Sequence, residues 1–180
     1  MYGFNQETKA ESLSGKQFDA GIHHSVELES VEFRSPRNDG EGNPVLMFNF
    51  VGPNNEKFRH IEWEIGEQAA DPEKSANALS KRVKHILNKF IPEEQCVLQG
   101  NTYAEFANGV ITLLGDHNKG KKVAIKLLYN NKGNLVFTKY VGFIAHEAKD
   151  LRISNTEAPN LVKAVVNPTG ALDLTNNLPF

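Results

Sequence analysis

Apolar and polar residues alternate along the first third of the chain in the way that is typical of β-strands. Ile22, Val26 and Leu28 share one phase of an alternating pattern with His24, and the phase changes near Ser30, which predicts a bulge within one long strand. Two more strands are predicted at Val45–Val51 and at residues 57–65. The stretch 36–44 is dense in Gly, Pro and Asn and predicts an exposed loop between the first two strands. The pattern therefore predicts an antiparallel meander of three strands.

The pattern changes to helical spacing in the middle of the chain. Asp71 followed by Pro72 is a helix start, and apolar residues at helical intervals predict a helix that runs to about Phe90. Thr102 and Glu105 have the spacing of a capping box and predict a second helix. Two helices are therefore expected between the third and the fourth strand.

Strand alternation returns in residues 121–130. Residues 130–134, with the sequence NNKGN, are typical of a hairpin turn, and residues 135–145 are predicted as the partner strand. The pattern is lost after Glu147. The order β-β-β-α-α-β-β predicts a mainly β protein with a five-stranded barrel of the oligonucleotide-binding (OB) type. We expect a flexible N-terminal arm at 1–21, the OB domain at 22–147 and a flexible C-terminal tail at 148–180.

The composition argues for a cytoplasmic protein without a cofactor. The chain has 180 residues and a net charge of −2, with no apolar run that could act as a signal peptide or a membrane span. Cys96 is the single cysteine, which excludes an intramolecular disulfide and a thiolate zinc cluster. The histidines lack metal-ligand spacing, and no phosphate-binding loop or nucleophile motif is present. We therefore expect no metal, no cofactor, no catalytic residue and no membrane partner.

The segment between His117 and His146 is basic although the whole chain is weakly acidic. A protein of low net charge needs a local patch of this kind to bind nucleic acid. A solvated strand face is the alternative explanation of the same lysines. The segment contains no Asp or Glu and six lysines, which are Lys119, Lys121, Lys122, Lys126, Lys132 and Lys139.

Aromatic residues are interleaved with these cations and with Arg59. Unpaired bases stack on exposed aromatic rings while cations contact the phosphates, so the two residue types together are typical of a single-strand binding surface. Trp63, Phe48, Phe50 and Phe137 are predicted instead to fill the core. The predicted nucleic-acid contacts are Phe58, Arg59, Lys121, Lys122, Lys126, Tyr129, Lys132, Lys139 and Tyr140.

Residues 173–180, with the sequence DLTNNLPF, carry a resemblance to a known family. They resemble the C-terminal tip of bacterial single-stranded DNA-binding proteins, in which acidic residues precede an aliphatic residue, proline and phenylalanine. The resemblance implies that Leu178, Pro179 and Phe180 dock replication or recombination proteins. The acidic run is reduced here to Asp173, which weakens electrostatic steering towards such partners. The rest of the chain looks like phage-encoded single-stranded DNA-binding proteins, which keep an OB core.

We therefore expect a protein, not an enzyme, that binds single-stranded DNA without sequence preference in replication, recombination or repair. If a phage encodes it, its place is the host cytoplasm. Two other functions stay open. A protein-interaction or virion accessory domain would use the barrel as a scaffold without binding nucleic acid. A metal-dependent nuclease would use clustered carboxylates, for which Glu62 and Glu64 on one strand face are the candidates. Self-association is left open as well.

Overall fold

The order of strands and helices follows the hydrophobic pattern. A computed structural model describes residues 16–35, 43–138 and 142–163. Within these residues the fold is mainly β, an antiparallel sheet of six strands with two α-helices. The strands are β1 (Gly21–Arg34), β2 (Val45–Val51), β3 (Lys57–Trp63), β4 (Lys122–Tyr129), β5 (Leu135–Phe137) and β6 (Ile144–Ala145). The helices α1 (Pro72–Leu87) and α2 (Tyr103–Leu114) come between β3 and β4 in the sequence.

The long strand β1 joins two parts of the sheet. Its register with β2 shifts between Leu28 and Ser30, which confirms the predicted bulge. A second irregularity lies between His23 and Val26 on the β4 side, where Ser25 has a φ of 56°. Such irregularities bend a strand and increase its twist. β1 therefore pairs with β4 through its first half and with β2 through its second half.

The sheet is open, and its two ends meet through aromatic side chains. The strand order is β3-β2-β1-β4-β5, with β6 also paired to β4. No hydrogen-bonded ladder joins β3 to β5 within the described residues, so the sheet is β-rich but not a closed barrel. The ring centroid of Phe137 in β5 lies 5.0 Å from that of Phe58 and 4.8 Å from that of His60, both in β3.

The predicted partner strand 135–145 is divided in two. Phe137 of β5 pairs with Leu127, and Ile144 of β6 pairs with Ile125, so two positions of β4 correspond to seven positions of the partner segment. The prediction of one continuous strand is therefore wrong. Alternation does not reveal the interruption, because apolar residues continue on both sides of it.

Both helices begin where their capping residues predict. The Asp71 carboxylate accepts a backbone N–H of the first turn of α1, and Thr102 and Glu105 form both bonds of a capping box at α2. α1 ends at Leu87 and not near Phe90, because bonds such as Phe90 N–H to Leu87 O tighten the following turn. No helix in the described ranges has the length and apolar content needed to cross a membrane.

Tyr103, the first residue of α2, fastens that helix to the sheet. Its hydroxyl accepts the N–H of Leu46 in β2 (3.2 Å) and donates to the carbonyl oxygen of Glu62 in β3 (2.6 Å). Leu46 and Glu62 face each other in the ladder. Burial raises the pKa of Tyr103 to about 12, so its hydroxyl keeps the proton that it donates. This bridge holds α2 against the β2–β3 pair.

The described end of the predicted N-terminal arm is docked on β3. Phe18 is buried, Gln17 forms a parallel bridge with Lys57, and Lys16 O accepts the N–H of Lys57 (2.8 Å). Residues 16–21 of the predicted arm at 1–21 therefore contact the sheet, and the division into arm and domain stays a prediction. An isolated apolar residue such as Phe18 gives no periodic signal, although its burial is what holds the segment.

The described part of the predicted C-terminal tail is docked on β4. Leu151 is buried in a small apolar cluster with Ala124 of β4 and Ala145 of β6, and this cluster is separate from the main core. Two short 3-10 turns, Ala148–Asp150 and Ala158–Leu161, shape the segment. Residues 148–163 of the predicted tail at 148–180 therefore contact the sheet, and the division into domain and tail stays a prediction. Turns this short carry no helical or strand periodicity, so the sequence pattern missed them.

Candidate nucleic-acid interface

β3 has one buried face and one open face. On the inward face Phe58 is 7% exposed, and its ring packs with those of Phe50 and Phe137 in the core. The predicted role of Phe58 as a stacking surface for bases does not fit this burial. On the outward face Trp63 is 50% exposed, so the prediction that Trp63 fills the core is wrong. Phe48, Phe50 and Phe137 are buried, as predicted.

The inward face of β3 also carries a buried carboxylate, Glu62. Nε and Nη2 of Arg82 in α1 donate to its two oxygens, each at 2.7 Å, and His60 Nε2 lies 3.0 Å from Oε1. Burial raises the pKa of Glu62, but the hydrogen bonds from Arg82 and His60 outweigh it and hold the pKa below its usual value. Glu62 therefore belongs to a salt-bridged core cluster and does not form a surface pair with the exposed Glu64.

The outward face of β3 presents Lys57, Arg59, Ile61 and Trp63 in one row. At about 3.3 Å per residue the row is roughly 20 Å long. Arg59 Nε donates to Asn49 Oδ1 of β2 (2.7 Å). This bond orients the guanidinium, and no ion pair engages Arg59 within the described ranges. We call these four residues the β3 row.

Lys57 of the β3 row is less free than Arg59. Its ammonium lies 3.0 Å and 3.1 Å from the two carboxylate oxygens of Glu29 in β1. Both side chains are about half exposed to solvent, so this ion pair is weak and can open for another anion at small cost. The row therefore offers two cations, of which Arg59 is the better placed.

A cleft of about 370 Å³ separates β3 from the hairpin that joins β4 to β5. Its lining is mostly polar and includes Lys57 and Arg59 of the β3 row, Tyr129 at the end of β4, and Lys163 of the C-terminal segment. Asp19 is the acid among the lining residues. Three of the predicted contacts, Phe58, Arg59 and Tyr129, thus line one cleft, although Tyr129 is 70 positions from Arg59 in the sequence.

Most of the predicted lysine contacts are engaged within the fold. Lys126 is 4% exposed, and its ammonium is bound by Glu157, so its predicted role as a phosphate contact does not fit the structure. Lys122 is exposed and lies 3.8 Å from a carboxylate oxygen of Glu27 in β1. Lys121 donates to the carbonyl oxygen of Phe90 (2.5 Å). Carboxylates from distant parts of the chain, Glu27 and Glu157, therefore reduce the positive charge of a segment that contains no acid itself.

The remaining predicted contacts are divided between the hairpin and the residues outside the described ranges. Lys132 is exposed in the turn of the hairpin that forms one wall of the cleft. Lys139 and Tyr140 lie outside the described residues, and so do the tip residues Leu178, Pro179 and Phe180.

The sequence contained a signal for the open face of β3. Two permanent cations, Lys57 and Arg59, share the phase of Trp63, whereas Phe58, His60 and Glu62 share the other phase. Two cations on one short strand are costly to bury without partners. One carboxylate can be buried with a single arginine. Because burying Lys57 and Arg59 would be costly, their face of β3 is expected to be exposed. Trp63 shares that face, so it is expected to be exposed despite its size.

No cluster of three His, Cys, Asp or Glu side chains suited to a metal ion occurs in ranges 16–35, 43–138 and 142–163. A comparison of the chain with the models of known protein families and with curated proteins finds no match. The function is therefore argued from the β3 row, the cleft beside it and the chemistry of their side chains.

Proposed function

We propose that this protein binds single-stranded DNA without sequence preference and without enzymatic chemistry, through the β3 row and the adjoining cleft. The observation that carries the proposal is the alignment of Arg59 and Lys57 with the half-exposed Trp63 on one strand face. A cation meets a phosphate, while an indole face stacks on a base of any identity. Tyr129 on the opposite wall of the cleft supplies a second aromatic ring.

The sheet supports an OB-type assignment, which belongs to the same proposal. β1 pairs with both β2 and β4, the helices come between β3 and β4, and aromatic rings of β5 and β3 are in contact. In OB folds the face of the second and third strands and the loop between the fourth and fifth strands bind oligonucleotides. Under this proposed assignment the β3 row and the hairpin correspond to those two places. A ladder between β3 and β5 would complete the barrel.

Recruitment of replication, recombination or repair proteins by residues 178–180, and a phage origin, rest on the resemblance of the sequence. The physical basis is that an apolar side chain next to proline loses little entropy when it docks in a pocket.

The single tryptophan of the chain gives a direct test, because Trp63 is part of the proposed surface. Titration of the full-length protein with an oligo-dT strand at low salt should change Trp63 fluorescence, since stacked bases quench an indole. Added salt should reverse the change steeply, because phosphate-bound cations release counterions. A duplex of the same length should have little effect.

Charge reversal gives the second arm of the test. Arg59→Glu should weaken binding of labelled oligo-dT, measured by fluorescence anisotropy. Lys81→Glu, at an exposed position of α1, is the matched control with the same change in net charge and should bind like the wild type. No binding by the folded wild-type protein at low salt, or equal binding of the duplex, contradicts the proposal.

A protein-interaction domain is the second candidate function, and the fold contains an observation in its favour. Lys122 and Lys126 are both close to acids of the chain, which reduces the positive field of the segment. An exposed tryptophan such as Trp63 is also common at the centre of protein interfaces. A folded wild-type protein that leaves oligo-dT unbound would support this second function.

A further inference from the structure

Lys163 of the C-terminal segment lines the cleft, although the sequence pattern places this segment outside the domain. We propose that Lys163 contacts the DNA backbone and that the buried Lys126–Glu157 ion pair is the positioning device that holds Lys163 there. The inference rests on the proposed binding of single strands and adds to it a cation and two positioning residues.

The ion pair is fully hydrogen-bonded. The Lys126 ammonium donates to Glu157 Oε1 (2.8 Å) and Oε2 (3.1 Å) and to the carbonyl oxygen of Arg152 (2.8 Å). Glu157 Oε2 also accepts the N–H (2.9 Å) and the hydroxyl (3.0 Å) of Ser154. The three protons of the ammonium therefore each have an acceptor, and all the partners except Lys126 lie in the C-terminal segment.

This pair fixes the position of the segment more than a hydrophobic contact would. A buried ion pair adds little net free energy to folding. It is tolerated only in the geometry in which each charge contacts its partner and its hydrogen-bond acceptors or donors. Lys126 is held within β4, between its neighbours β1 and β6. Glu157, and the turn Ala158–Leu161 that follows it, are therefore held in one register along β4.

Lys163 reaches the cleft from this held turn. Its aliphatic stem lies against the hairpin, where Gly133 has a φ of 72° and a Cβ atom on Gly133 would be 3.0 Å from Lys163 Cε. Glycine suits the positive φ of this turn, and its missing side chain leaves room for the lysine stem. No acid of the described ranges forms an ion pair with Lys163. Lys163 therefore adds a third cation to the lining of the cleft, beside Arg59 and Lys57.

The test is the salt dependence of oligo-dT binding by full-length variants. Each phosphate contact contributes about 0.7 to the slope of log K against log salt for a single strand. Lys163→Gln should lower the slope by about that amount. Glu157→Gln, which leaves the segment without its carboxylate anchor, should lower it equally. The double variant should show no further loss, because both changes remove the same contact.

Lys149→Gln is the matched control, since Lys149 is an exposed lysine of the same segment and is paired with Glu147. Its slope should equal that of the wild type. Thermal melts establish that each variant is folded. If Glu157→Gln does not fold, Ser154→Ala takes its place, because it removes only one hydrogen bond to Glu157 and should lower the affinity by a smaller factor.

The outcomes separate this inference from the proposed function. A wild-type slope in Lys163→Gln overturns the contact, and a wild-type slope in folded Glu157→Gln overturns the positioning role. Additive losses in the double variant also contradict it. If instead the wild-type protein binds no oligo-dT at all, the proposed function fails, and the contact of Lys163 with DNA is overturned together with it.

Discussion

The outward faces of β3 and β4 both carry two cations and apolar residues, but they differ in exposure to solvent. β3 places Lys57 and Arg59 in a row with apolar residues, and this face is open to solvent. β4 places Lys122 and Lys126 in such a row, but the C-terminal segment covers Lys126. Alternation shows which residues share a face of a strand. It does not show what the rest of the chain places on that face.

The difference comes from residues that are far away in the sequence. Leu151 supplies apolar area against Ala124 of β4, and Glu157 supplies the charge that makes burial of Lys126 tolerable. On the outward face of β3 the N-terminal segment reaches only as far as Lys57. No described segment covers Arg59 or Trp63. The position of one carboxylate thus decides whether a lysine is a surface cation or a core residue.

The largest expected effect contrasts the two lysines of this comparison. Lys126→Met should lower the free energy of unfolding by about 3–5 kcal/mol, because it leaves Glu157 buried without its partner. Lys57→Met should cost less than about 1 kcal/mol, since its pair with Glu29 is solvent-exposed. Urea unfolding followed by circular dichroism measures both. Equal losses in the two variants would remove the distinction between the covered and the open face.

The two faces of β3 itself give the next contrast. Phe58→Ala should destabilise the fold by about 3–5 kcal/mol, because its ring packs in the core against Phe50 and Phe137. Trp63→Ala should leave stability nearly unchanged and weaken oligo-dT binding by about 1–3 kcal/mol. Unfolding curves and anisotropy titrations separate the two effects. A Trp63→Ala protein that is strongly destabilised and binds normally would make Trp63 a core residue after all.

The strands and helix starts were predictable because their causes are local. The bulge at Ser30, the cap at Asp71 and the capping box at Thr102 depend on residues within a few positions of each other. The cleft depends on pairings between distant segments, for which one sequence gives no signal. Arg59 and Tyr129 were predicted as contacts of one binding surface, but the cleft between them was not predicted. Lys163 had no signal, since its position follows from Glu157.

Acid pH should lower the free energy of unfolding, because Glu62 and Glu157 stabilise the fold only when they are ionised. Burial raises the pKa values of Glu62 and Glu157, but hydrogen bonds, mainly from Arg82 and Lys126, outweigh it and lower them below the ordinary value of 4.5. Their stabilisation is therefore complete above about pH 4.5 and is lost as the pH falls through the folded-state pKa values. Chemical unfolding at a series of pH values measures this loss.

His85 must be separated from this acid effect. Its burial lowers its pKa below 6.5, so protonation of the unfolded chain already reduces stability as the pH falls through that value. Glu62→Gln should be less stable than the wild type at pH 7, and the difference should shrink below pH 4.5. A constant difference down to the lowest pH would show that the Glu62 charge does not stabilise the fold.

The smallest expected effect is a change in the salt dependence of DNA binding when one cation of each outward face is removed. Arg59→Gln should reduce the salt slope by about 0.7, because Arg59 lines the cleft and no described acid forms an ion pair with it. Lys122→Gln should leave the slope unchanged, since Lys122 is near Glu27 and is not among the residues that line the cleft. Anisotropy titrations between 50 and 200 mM salt, roughly the range over which such slopes are resolved, measure both variants. A lower slope in Lys122→Gln together with a wild-type slope in Arg59→Gln would move the DNA path from β3 to β4, and the comparison of the two faces would have to be reversed.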